Sequence, residues 1–403
     1  MVIAANVFYP PDRTSGWSEE RTDARRVRKE RGATVKRIFG FALLFVGVFL
    51  IVLAPLVKWV VAPRVIKAPL EIPEKYTKIL AHGDKFNYLD ASQGTIVPIS
   101  VSVTRTIIGD VSKDQGGDSK NAVYDESLCL TRDDGSHPGC VDKTDARLIT
   151  NTTDRVAFDR KTGMAVNDPK YRTNVNGDPN IKHEGLSYKF PIDTEKKSYP
   201  FFDTVVGKAF PMNYAGTEKI EGMKVYKFVQ KIVDQPVYTN GVLPSSYTNT
   251  RTVWIEPTTG VIVKGQEELT QLLTGRASLD PNSELRDPSL ANVIALQGTL
   301  VFTDPTVRNQ KQLANDNLPK IDLVRTWIPL IAGIVGLLAL AGGLVLLLTG
   351  RRQPPPAEEI PPWPQPEQPV PPGYAAPPGY AAPQGGAPDT EPTQPLPHPS
   401  SQR

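Results

Sequence analysis

Residue types that carry chemistry are present in this sequence, but they stand apart from one another. His82, His137 and His183 are each isolated, and the last two sit among Pro, Gly and Asn as loop residues do. No Gly-x-Ser-x-Gly elbow, phosphate loop, dinucleotide fingerprint or His-Glu-x-x-His occurs. Carboxylates are numerous, yet none stands in a setting that would push it toward acid–base work. Asp168 to Asn180 gathers Asp and Asn in a Gly-containing loop, but lacks the ligand spacing and closing Glu of a calcium loop. The two cysteines, Cys129 and Cys140, bracket the turn-rich Asp133-Asp134-Gly135 and His137-Pro138-Gly139. Zinc needs about four ligands, so a local disulfide in an oxidising compartment is expected, contributing about 2–3 kcal/mol. The residues therefore imply no catalytic group, no cofactor and no metal, and the chain reads as a non-enzyme.

One stretch could bind. Gly185 to Met212 sets Tyr188, Phe190, Tyr199, Phe201, Phe202 and Phe210 among Lys189, Lys196, Lys197 and Lys208. Aromatic faces beside cations suit a sugar or an anionic lipid headgroup. The same alternation is also what a half-buried sheet edge looks like. Tyr188, Lys189, Phe190, Tyr199, Phe201, Phe202 and Phe210 are the candidate ligand-binding residues.

The elements that must hold this stretch begin with two apolar runs. Ile38 to Val57 is unbroken, and 20 residues at about 1.5 Å each match a hydrocarbon core of ~30 Å. It exceeds the core of a cleaved signal peptide, which makes it an anchor, and Trp59 beyond it suits the interface. Trp327 to Thr349 is the second run, stopped by Arg351-Arg352. Neither contains an ionisable residue, which argues against an ion pathway through them. Gly336, Ala339 and Gly343 would let helices approach closely.

Charge bias sets the orientation. Residues 21–37 carry eight Lys/Arg, whereas 58–77 carry four (Lys58, Arg64, Lys67, Lys75), so the N-terminus is expected in the cytoplasm. Two spans return the C-terminus to the same side. The expected organisation is a basic cytoplasmic arm (1–37), a first span (38–57), an extracytoplasmic domain (58–326), a second span (327–349) and a cytoplasmic tail (350–403). A net charge of only +3 gives no basic field for nucleic acid.

The central domain reads as mainly β, a twisted antiparallel sheet or a sandwich with few helices. Val97, Ile99, Val101 and Val103 alternate with polar residues, and Lys224 to Val233 and Gln297 to Thr303 are strand-like. Val156 to Val166 and Val253 to Val263 share one pattern: a strand, an acid, a turn ending Thr-Gly, and a second strand. Gly163 and Gly260 would hold the positive-φ position of that turn. The two copies mark either duplicated halves of a sheet or one common turn used twice. Asp304-Pro305 looks like a cap and first residue of a short helix that reaches about Asn315 and leads into the second span. The tail holds 18 of the 39 prolines and repeats Pro-Pro-Gly-Tyr-Ala-Ala-Pro at 371 and 377. Such a tail is expected to stay disordered, serving as a spacer or, through Trp363, Tyr374 and Tyr380, docking a proline-recognising partner.

Basic arm, span, β-rich domain, span and Pro-rich tail together resemble the PorA-like (porin PorA) family of actinobacterial membrane proteins, long classed as a domain of unknown function. The resemblance rests on Gly185-Leu186-Ser187-Tyr188-Lys189-Phe190-Pro191, Tyr199, Phe202-Asp203, Gly222-Met223-Lys224-Val225-Tyr226 and Val253 to Gly265. It covers about residues 35–350, without the tails. It implies an envelope role, since relatives in mycolic-acid bacteria are linked to lipomannan and lipoarabinomannan maturation, and it assigns no residue a role. The family name suggests a pore, but a barrel pore needs many alternating strands with an outward apolar band, and the apolar material here is two helices. The expected function is an envelope-biogenesis factor whose exported domain meets membrane lipids, a lipid-linked glycan or a partner synthase. A scaffold acting through the tail and an unrecognised glycan-processing enzyme are the alternatives.

Overall fold

The computed structural model describes residues 16–90, 92–135, 139–239, 243–276 and 288–349, with side chains from Thr34 onward. His137 and the proline-rich tail, with its expected disorder and docking role, lie outside the described residues.

Eleven strands form one antiparallel sheet: β1 (Lys78–Asp90), β2 (Thr95–Gly109), β3 (Asn121–Arg132), β4 (Leu148–Asp159), β5 (Asn174–Val175), β6 (Tyr199–Asp203), β7 (Lys208–Ile220), β8 (Met223–Thr239), β9 (Leu243–Glu256), β10 (Val261–Leu273) and β11 (Ile294–Phe302). Their spatial order is β5-β4-β3-β2-β1-β11-β10-β9-β8-β7-β6. The chain thus makes two meanders that meet in the middle, where β1 pairs with β11. A single curled sheet, rather than a sandwich, is the outcome.

The curl brings the two edges together. Ala165 pairs with Phe158 of β4, Met164 with Leu186, and Leu186 in parallel with Phe201 of β6. The Ala165 N–H donates to Gly185 O at 2.8 Å, the Leu186 N–H to Pro200 O at 2.8 Å, and the Phe202 N–H to Leu186 O at 2.7 Å. Unpaired edge groups invite another chain, and here those around Phe158 and Phe201 are paired within the molecule.

Both Thr-Gly turns form, and they form alike. Asp159 accepts from the N–H groups of Lys161 and Thr162, as Glu256 accepts from those of Thr258 and Thr259. Gly163 and Gly260 have φ of 73° and 74°, the left-handed region that costs Gly nothing. Residues 185–194 run between the two turns as a strap. Phe190 N–H donates to Gly260 O, Ile192 N–H to Lys161 O, and Thr194 N–H to Pro257 O, at 2.9, 3.2 and 2.7 Å.

The helices continue beyond the apolar runs. α1 (Gly16–Leu56) passes through a π-helical turn (Val57–Val61) into α2 (Ala62–Val65). α3 (Asp304–Asp322) passes through a second π turn (Leu323–Trp327) into α4 (Ile328–Thr349). The short helix expected to run to about Asn315 and lead into the second span does lead into it, but extends to Asp322 before the π turn, because nothing between 306 and 318 breaks it and its apolar side is covered by the sheet. Its cap is Thr303, one residue earlier than expected, accepting from Thr306 N–H with Pro305 in the first turn. Val307 packs with Val225, Trp254 and Val263 on the outer sheet face. The Thr306 hydroxyl both accepts from Leu80 N–H and donates to Leu80 O.

Two helices are thus long and apolar enough to cross a membrane, within Thr34–Val65 and Asp304–Thr349. Phe41, Phe45, Leu338 and Val345 are all more than half exposed, surface that only lipid would cover. The helices meet through glycine. Gly40 faces Gly343 and Gly47 faces Gly336, and a Cβ on Gly47 would lie 2.9 Å from Gly336 O. Cys129 and Cys140 are joined as expected.

Gly47→Ala is therefore expected to push the helices apart, at a cost of about 1–3 kcal/mol for overpacking, seen as a lower unfolding midpoint in detergent. Gly333 meets nothing within 4 Å, so Gly333→Ala should leave the midpoint unchanged. Equal effects of the two would refute the glycine contact.

Candidate functional site

Pleating turns alternate residues of each strand inward, and the inward positions change character along the strands. Near the strap they are apolar: Leu186, Phe190, Tyr199, Phe201, Met212, Phe228, Val253 and Ile255 form one cluster. Beyond this layer lie buried charges. Arg251 on β9 donates to Glu267 of β10 at 2.9 Å, to Gln230 of β8 at 3.0 Å and to Asp203 of β6 at 3.0 Å. Gln230 passes its own N–H to Phe201 O, and Asn249 donates to Glu267. On the other half of the sheet, Arg105 of β2 lies 3.2 Å from Glu126 of β3. Asp154 of β4 takes the His183 ring at 2.8 Å and the Tyr188 hydroxyl at 2.9 Å. A third layer, with Phe86, Val101, Val103 and Leu130 and Ile232, Val237 and Tyr247, fills the far side.

Burial sets the electrostatics of the middle layer. Desolvation pushes Glu126 up, only partly opposed by Arg105. Asp203 is likewise raised by burial against the pull of Arg251. For Glu267 burial is outweighed by Arg251, and the carboxyl is held below its usual range. Arg251 also acts on Glu126 and Arg105 on Glu267, so the two clusters face each other across the interior. Arg251 engages Asp203 and Glu267, Arg105 engages Glu126, and His183 and Tyr188 engage Asp154, so the layer is a cross-brace. Glu126 Oε2 and His183 Nδ1 are buried without a partner among the described residues.

The residues of the aromatic–lysine stretch divide between this interior and the surface. Phe190, Tyr199, Phe201 and Phe202 are buried, the first three in the apolar cluster and Phe202 against the His183 ring at 4.8 Å. Tyr188 reaches Asp154, and burial beside that carboxylate and Glu126 drives its phenol well up. Lys189 donates to Phe190 O at 2.7 Å, and burial lowers it to about 8. Phe210 lines a surface groove. This open groove of about 480 Å³ is bounded by Glu184, Gly185, Ser198, Pro200, Ala209, Phe210 and Pro211. Among the described residues no group of three or more His, Cys, Asp or Glu could hold a metal.

A second cationic surface was not singled out by sequence reading. The β7–β8 hairpin places Lys219 directly opposite Lys224, and Thr217 opposite Tyr226. Lys196 lies 5.7 Å from the Tyr214 ring and 5.5 Å from Tyr226, whose other neighbour is Lys224 at 5.6 Å. The signal available in the sequence was the string Glu218 to Lys224, in which a two-residue Glu-Gly turn obliges the flanking lysines to pair.

A pair of helices long and apolar enough to cross a membrane, joined to a side-chain-filled sheet, points to a membrane protein. The family model described as Porin PorA matches residues 39–345. The chain belongs to that family. It is 28% identical over 311 residues to a protein named Porin PorA from Corynebacterium resistens, covering 58% of this chain and 74% of the relative. A protein of the same name from Corynebacterium amycolatum is 25% identical over 388 residues, covering 77% of this chain and 98% of the relative.

Arg251→Ala strands buried Asp203 and half-buried Glu267 and is expected to cost about 3 kcal/mol. Adding Asp203→Asn and Glu267→Gln should recover part of that loss in denaturant titrations; strict additivity would mean the three do not act together.

Glu126 gives a pH signature. Its folded-state value lies above the unfolded one, so the folded state binds the extra proton and gains stability as pH falls toward 4.5. Glu126→Gln removes that gain. Stability of the parent relative to the variant should rise as pH drops from 7 to 4.5, and parallel profiles would contradict the assignment.

Proposed function

We propose that this protein is a non-enzymatic envelope-biogenesis factor, anchored by two spans with both termini in the cytoplasm, whose exported domain binds a lipid, a lipid-linked glycan or a partner synthase. The observation that carries the reading is the interior of the sheet. The relatives are named porins, but passage through this sheet would have to displace Arg251, Glu267, Gln230 and the Phe228–Phe190 cluster, all packed in its centre. The lipid-suited surface belongs to α1 and α4 instead. The basic residues before the first span support the orientation, and the Cys129–Cys140 bridge suits an oxidising side. The maturation of lipomannan and lipoarabinomannan is the finer form of this reading, carried by the family resemblance.

Three measurements test it on the full-length protein. In spheroplasts an impermeant maleimide should label Cys129 and Cys140 only after reduction, without lysis. In planar bilayers the purified protein should give no conductance steps. Incubated with an envelope lipid extract, it should retain a glycolipid or lipid detectable by native mass spectrometry. Reproducible conductance, or cysteines reachable only from the cytoplasmic side, would overturn the reading.

A further inference from the structure

The tip of the β7–β8 hairpin carries an electrostatic arrangement that its own fold does not need. Ile220 pairs with Met223 across Glu221 and Gly222, both at positive φ (44° and 84°), a tight two-residue turn that fixes the register. That register sets Lys219 and Lys224 side by side on one face, where like charges repel. Residues two apart share a face, so Thr217 and Tyr226 lie on the same side. Lys196, arriving from the end of the strap, adds a third ammonium over the Tyr214 and Tyr226 rings.

Nearby carboxylates are engaged elsewhere. Glu195 pairs with Lys197, Glu221 with Lys311 of α3, and Glu218 with Lys227 and the Trp254 indole. Among the described residues no carboxylate lies within ion-pair distance of Lys196, Lys219 or Lys224. All three lysines are exposed. The Tyr214 and Thr217 hydroxyls are 2.6 Å apart, so one donates to the other and the acceptor keeps a proton to give outward. Lys196 and Lys224 stand over the Tyr214 and Tyr226 rings, Lys219 is the cross-strand partner of Lys224, and the hydroxyl pair lies on the same face. That set suits an anion with several acceptor oxygens, which would also relieve the lysine–lysine repulsion.

Position narrows the source. In this antiparallel sheet the β7–β8 turn lies at the same end as the start of β1 and the end of β11, from which α3 leaves toward the second span. We propose that Lys196, Lys219 and Lys224, with Tyr214, Thr217 and Tyr226, form a binding site for a phosphate group, presented by an anionic phospholipid headgroup or as free phosphate. The proposal rests on the reading that the sheet domain binds an envelope component, and gives that component its chemistry.

The test is thermal unfolding of the full-length protein in neutral detergent at low salt, with short-chain phosphatidylglycerol, short-chain phosphatidylcholine or inorganic phosphate. Phosphatidylglycerol should raise the midpoint and phosphatidylcholine should not. Lys219→Ala with Lys224→Ala should weaken the response at least about tenfold, while Lys113→Ala, in the β2–β3 loop on the other half of the sheet, leaves it intact. A response to inorganic phosphate lost in the same double variant supports the site and shows that the lipid moiety is dispensable. Lys219→Glu makes the cross-strand pair attractive, so it should raise the unliganded midpoint and abolish the response. No response to either phosphate source, equal responses to the two lipids, or an undiminished response in the double variant would overturn the site. Retention of an envelope glycolipid by that variant would leave the broader function standing while removing this patch from it.

Discussion

An open antiparallel sheet has two edges whose unpaired backbone groups invite another chain. The strap from Gly185 to Thr194 links the two in this molecule. It completes the ladder between β4 and β6 through Leu186 and clasps the two Thr-Gly turns through Phe190, Ile192 and Thr194. It reaches the helices as well. Asp193 receives two bonds from the Arg325 guanidinium at 2.7 Å, and Ile192 packs with Ala62, Ile66, Ile321 and Val324. Closure of the sheet and seating of the helix pair therefore depend on one ten-residue segment. Its aromatics serve this junction before they can serve anything else.

The interior follows from the closure. Curling a sheet around itself leaves inward positions that must be filled, and an all-apolar filling would specify the register of a meander only weakly. Here a charged layer lies between two apolar ones. A one-residue slip of β9 would turn Arg251 outward and leave buried Asp203 and half-buried Glu267 without a counter-charge. The layer thus acts against wrong pairings, and it does so at the expense of some stability, as the raised Glu126 and Asp203 indicate.

Local rules were legible in the sequence. Span length, the Cys pair, the alternation around Val101 and the Thr-Gly turns are all decided by residues close in the chain, and each has its counterpart in the structure. Long-range properties were not. Nothing near Arg251 announces that Asp203, 48 residues away, will be its partner. Nothing in an aromatic–lysine string distinguishes a strap in a core from a face awaiting a sugar, because both need the same half-apolar alternation. The end of α3 was misplaced for a related reason. A helix whose apolar side is covered by a sheet need not stop where its own hydrophobic pattern thins.

The helix pair shows how a local irregularity can preserve a long-range register. Gly40 and Gly343 meet, and seven residues further along one helix and seven back along the other, Gly47 and Gly336 meet. A seven-residue repeat is the spacing that keeps one seam facing its partner in a left-handed pair. Between that contact and the junction with the sheet, each helix contains one π-helical turn, Val57–Val61 and Leu323–Trp327. A π turn displaces everything beyond it relative to a regular helix, so one alone would rotate Ala62 or Ile321 off the seam. Two turns at matching levels shift both helices equally. Ala62 and Ile321 are each fifteen residues from Gly47 and Gly336, and they still share a buried cluster. The glycine seam and the strap junction are thereby held in one register, and the sheet is joined to the membrane helices without a loose linker on the α3 side.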